Sequence, residues 1–222
     1  MDEFDTMLLN VRNSFRLLYL FNRRLLDLMI YIGKKFNLEY TKGIPRFSQP
    51  WTEEEKHQKP DLSRWAWDWL NLYLYEFHFS KENSKEKIMF SIVFQADTGK
   101  WDMEVDQLEV DKYKKAEKTK TKLIFVFSNK EYWDIKRAID GEADGRHDCS
   151  PVVKFLSDSK HMVGNEYEKE YIIENEKHEK AYCKIFELRD FKNKKETDLA
   201  LDEFVKYLEQ NEIFDISIVE EV

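Results

Sequence analysis

The residues of this chain best suited to chemistry are carboxylates close to the ends of its apolar runs. Glu76, Asp97, Asp102 and Glu104 fall there, and a magnesium ion needs only one or two protein carboxylates beside the oxygens of a substrate. The spacing therefore permits a metal-dependent hydrolase or nuclease built on Glu76, Asp97 and Glu104. No acid-x-Lys pair accompanies them on the same runs. Glu76 and His78, two positions apart, share one face of a strand, opposite Tyr75, Phe77 and Phe79, and the sequence favours reading that face as solvated. His147, Cys149, His178 and Cys183 lack the tight paired spacing of a structural zinc site.

Two further stretches resemble known sites. Asp97-Thr98-Gly99 follows an apolar run and resembles the triplet with which aspartic proteases present one carboxylate to another. The chain holds no second such triplet, so a polar turn accounts for it. Asp140 to Asp148 resembles a calcium-binding EF-hand loop, with Asp140, Glu142, Asp144 and Asp148 as metal-ligand candidates and Gly145 at the turn. Pro151 stands where that family supplies a bidentate Glu, so an acidic surface loop is the reading taken. No cofactor is expected. The chain contains no P-loop, dinucleotide fingerprint, G-x-S-x-G elbow or paired C-x-x-C, and the reading leans away from an enzyme.

Interaction chemistry is better represented. Aromatic residues make up 15% of the 222, and Trp65, Trp67 and Trp69 alternate within the densest stretch, Ser63 to Phe79. Any tryptophan of that set left exposed marks a docking surface. The net charge of −8 is segregated. Residues 196–222 carry nine acids against Lys206 alone, which leaves residues 1–195 neutral. Nucleic acid is not favoured by this balance, whereas Glu220 and Glu221 could meet a basic protein partner.

The elements that must position these groups make an α+β fold: a long N-terminal helix packed on a mainly antiparallel sheet, with additional C-terminal helices. Hydrophobic content is 42%, charged content 36%, and Gly and Pro are scarce at 6 and 4, which disfavours an all-β sandwich. One domain spanning 1–222 is expected. Residues 4–36 form one helix, because Phe4, Leu8, Val11, Phe15, Leu18, Asn22, Leu25, Met29, Ile32 and Phe36 repeat at intervals of four and three. Met7, Leu17, Phe21, Leu28 and Tyr31 widen that face. The seam reads either as a self-association surface with Asn22 setting register or as packing along the protein's own sheet, and its breadth favours the second.

A proline-punctuated loop is expected over 37–60, and a short helix over 62–70. Strands follow over 71–79, 88–95 and 123–128, a pair over 170–174 and 181–188, and a last strand over 213–219. Helices are also expected near 132–139 and from Pro151, and Thr197 reads as the cap of a final helix to about Gln210. Two cysteines are too few for a disulfide framework, the N-terminus is acidic, and Leu17–Ile32 is interrupted by charges. No membrane span and a cytoplasmic location are the expectations. The leading function is a non-enzymatic protein–protein interaction or regulatory protein, self-associating through its N-terminal helix. The alternatives are the carboxylate hydrolase and a small-ligand binder with an aromatic pocket.

Overall fold

A computed structural model describes residues 2–45, 48, 66–70, 72–81, 89–100, 109–128, 168–174, 180–214 and 216–219. The first helix, α1, spans Glu3–Lys35. Asp2 caps it, its side chain accepting the Asp5 N–H at 2.7 Å, and Glu3 and Asp5 complement the positive end of the helix. The helix stops through backbone geometry at Asn37, which takes a left-handed φ of 51°. The Leu38 N–H reaches Gly33 O at 2.9 Å and the Asn37 N–H reaches Lys34 O at 3.1 Å, closing the last carbonyls. Gly33 lets the helix approach the sheet closely, since a Cβ there would stand 3.1 Å from the Phe79 ring.

Six strands form one sheet: β1 (Glu39–Pro45), β2 (Leu74–Ser80), β3 (Met89–Gln95), β4 (Lys122–Ser128), β5 (Glu170–Glu174) and β6 (Lys180–Glu187). Their order is β1-β2-β3-β4-β6-β5, and every neighbouring pair is antiparallel. A second helix, α2 (Lys194–Gln210), follows β6 through a single 3-10 turn.

One face of the sheet is almost wholly aromatic and aliphatic. Phe77, Phe79, Phe90, Ile92, Phe94, Leu123, Phe125 and Phe127 point to it, and the second half of α1 and the apolar side of α2 cover it. Phe90, Phe125 and Phe204 interlock with centroids 5.2–5.6 Å apart, two of the three contacts being edge-to-face. The layer order is thus helices on one face of an antiparallel sheet, the α+β arrangement.

Several expectations need correction. The loop over 37–60 begins instead as strand β1, an edge strand that accommodates Pro45 at its end and a bulge between Tyr40 and Lys42. Asn193, not Thr197, caps α2 by accepting the Glu196 N–H at 3.0 Å. Residues 213–219 are not a ladder strand among those described. Ile213 and Ile216 bury into the main core, and the Val219 N–H bonds Lys35 O at the end of α1. Around 62–70 the described part, Ala66–Trp69, is a single 3-10 turn. The helices expected near 132–139 and from Pro151 lie outside the described residues.

Candidate functional site

Alternation along the strands sends a second set of residues to the other face of the sheet, and this set is far more polar. Leu74, Val93, Ile124, Val126, Ala181, Cys183 and Ile185 form its apolar part. Glu76, His78, Ser91, Gln95 and Lys122 lie among them on β2, β3 and β4, each at most 1% exposed. The expectation that Glu76 and His78 form a solvated strand face is therefore overturned. Both faces of this sheet are covered, so strand alternation here separates two interiors rather than core from water.

The register explains how the polar groups meet. His78 pairs across the ladder with Ser91, and His78 Nδ1 lies 2.7 Å from Ser91 Oγ. Glu76, two residues back on the same face, places Oε2 3.2 Å from His78 Nε2, close enough for an ion pair with a protonated imidazole but out of line for a hydrogen bond. Leu74 pairs with Gln95, and Gln95 with Lys122. The Gln95 amide has no hydrogen-bond partner among the described residues, a cost of roughly 1–3 kcal/mol. Cys183 lies on the same face, and burial pushes its thiol well above the usual range. Carboxylate, imidazole and hydroxyl in sequence form a set able to hold or move a proton.

The other candidate residues are dispersed. Asp97 lies four residues past Val93, the cross-strand partner of Glu76, about 13 Å along the strand at the usual rise per residue. Its carboxylate turns back to accept the Gly99 N–H at 2.8 Å, and Thr98 is fixed against Lys120 through its backbone N–H and Oγ, each at 3.1 Å. The triplet thus closes a turn onto the strand beside it, and Glu76 and Asp97 are not brought together. Glu104, Trp65, Glu220 and Glu221 lie outside the described residues, as do Asp140, Glu142, Asp144 and Asp148. No cluster of metal-ligating side chains occurs among the described residues. Trp67 is half-buried, with its ring 4.3 Å from Tyr73 and stacked near Tyr113, whereas Trp69 is 56% exposed.

A cleft of about 1030 Å³ opens between the middle of α1, residues 117–121 and the start of α2. Its lining combines apolar Phe21, Leu25, Leu28 and Phe191 with charged groups of both signs, among them Arg24, Asp27, Lys120, Glu187 and Arg189.

The most exposed apolar surface is on α1 itself. Every residue from Asp2 to Leu20 is exposed, and the first half-buried position is Phe21. Phe4, Met7, Leu8, Leu9, Val11, Phe15, Leu17, Leu18, Tyr19 and Leu20 are 36–68% exposed. A soluble surface seldom carries so many large apolar groups in one continuous run. A groove beside this segment is lined by Met7, Val11, Phe15 and Leu18, with Leu70 on its opposite wall. No described helix is long and apolar enough to cross a membrane.

Sequence reasoning missed Ser91, Gln95 and Lys122. Their signal was isolated polar residues within or at the ends of strongly apolar runs, which becomes informative only once both faces are known to be covered.

The chain belongs to the PM0109 family, whose model matches residues 1–213. No curated protein and no solved structure matches it.

Proposed function

We propose that this chain is a non-enzymatic interaction or regulatory protein that self-associates through the first half of α1. The observation that carries this reading is the seam Phe4, Leu8, Val11, Phe15 and Leu18, at coiled-coil spacing and 36–68% exposed. In the second half of the same helix the repeat continues as Leu25, Met29, Ile32 and Phe36, all buried against the sheet and α2. The pattern that finds a partner within the fold at one end is left without that cover at the other. A helix of this kind gains stability mainly from packing its apolar face, which favours a partner for the exposed turns. Scarce cysteines support a cytoplasmic setting for the assembly. Light scattering on the eluting full chain tests the reading. Wild type should elute as an oligomer and Phe15→Asp as a monomer with unchanged circular dichroism. A wild-type monomer at every loading would overturn it.

A second reading, a hydrolase using Glu76, is favoured by the buried set Glu76–His78–Ser91 beside an unsatisfied Gln95 amide. It predicts magnesium-dependent turnover of a phosphodiester that Glu76→Gln removes without unfolding the protein. Equal activity, or none, in both proteins would end it.

A further inference from the structure

The distribution of charge along the exposed half of α1 specifies how two copies would meet. Acids cluster at its start, with Asp2, Glu3 and Asp5, and bases follow at Arg12 and Arg16. From Asp2 to Leu20 the helix is exposed, with Leu70 as the residue of the body that shares a groove with its Met7–Leu18 flank, and cover by the sheet and α2 begins near Phe21. At 1.5 Å per residue the free segment is about 27 Å long.

Resting on the self-association reading above, we infer that the partner is a second copy of this chain, paired antiparallel over the exposed turns. In one register Phe4 of each copy packs against Phe15 of the other, and Leu8 against Val11, so four apolar layers form around a two-fold axis. In an antiparallel pair the positions flanking the seam on one side face their own kind. That brings Asp5 of each copy beside Arg12 of the other, with Asp2 and Arg16 one step further out on the same flank. The N-terminus of each helix then ends level with residues 17–18 of its mate, just short of the body at Phe21.

The competing arrangements fit less well. Sliding the antiparallel pair by one heptad sets Arg12 against Arg12, Phe4 against Asn22, and drives each N-terminus into the other copy's body. A parallel pair places Arg12 beside Met7 and gives Asp5 no basic partner. Only the first register satisfies seam, charge and available length together.

The test is sedimentation equilibrium of the full chain as wild type, Asp5→Arg, Arg12→Asp and the double exchange. Each single exchange replaces two attractive pairs by two repulsive ones and should weaken the dimer about tenfold. The double exchange recreates both pairs with signs reversed, and should return the dimer to within about threefold of wild type. A wild-type dimer in which the two losses simply add would overturn the antiparallel register while leaving self-association standing. A wild-type chain that is monomeric throughout would overturn both.

Discussion

The two halves of α1 carry the same sequence pattern and live in different environments. From Leu25 to Phe36 the seam is buried, Ile32 completely, against Phe79, Phe90 and the α2 residue Phe204. From Phe4 to Leu18 the same spacing faces outward. The difference teaches that hydrophobic periodicity specifies a face in want of cover, not what covers it. In the second half, folding of the chain supplies the partner. In the first half, under the self-association proposed above, a second copy supplies it, so the two halves should respond oppositely to the same kinds of perturbation.

Ile32→Ala should cost about 2–5 kcal/mol of folding stability, measured by urea denaturation, because it opens a cavity in a closed interior. Phe15→Ala removes a larger side chain yet should shift the unfolding midpoint of the body by less than about 0.5 kcal/mol, while weakening the dimer severalfold. If Phe15→Ala instead unfolded the body, the first half would be part of the same core and the contrast would collapse. A smaller effect separates the halves electrostatically. Raising salt from about 0.05 M to about 0.5 M should weaken association mildly, through screening of the Asp5–Arg12 pairs, and leave the buried half untouched. Smallest of all should be the change at Cys183. Burial holds its thiol protonated at neutral pH, and since the thiolate is the reactive form, the thiol should resist disulfide reagents until the body unfolds. In a Cys149→Ser background that resistance should be identical in monomer and dimer. Its loss on dissociation would tie the two halves together.

Much of this architecture was legible in the sequence. The helix over 4–36, the strands near 71–79, 88–95 and 123–128, and the pair 170–174 with 181–188 follow from period and residue type. Where the cover of α1 stops was not legible, since the four-and-three spacing continues unchanged through Phe21 and Asn22. Strand β1 was hidden by Lys42, Gly43 and Pro45, which suit an edge strand as well as a turn. Gly43 has a specific reason to be glycine, as a Cβ there would collide with Tyr75 Oη and Tyr40 Oη. Partial desolvation, with a smaller contribution from the neighbouring Tyr75 hydroxyl, raises the Tyr40 phenol to about 12.

The polar face of the sheet was the least legible part. Glu76 and His78 alternate with aromatics as a solvated strand face would, and their burial depends on cover that strand periodicity does not report. The link from His78 to Ser91 depends on the β2–β3 register, which pairs residues 13 positions apart. Strand composition alone does not set that register.

The central claim, that one helix is divided into a half covered by its own fold and a half covered by a second copy, is tested most directly by amide hydrogen exchange along α1. The full chain would be compared at about 1 µM and about 100 µM, concentrations that bracket micromolar association. Residues 25–35 should be protected equally at both. Residues 5–20 should exchange rapidly when dilute, as an uncovered helix frays, and become protected when concentrated. Strong protection of residues 5–20 already in the dilute sample, or none in the concentrated one, would contradict the account.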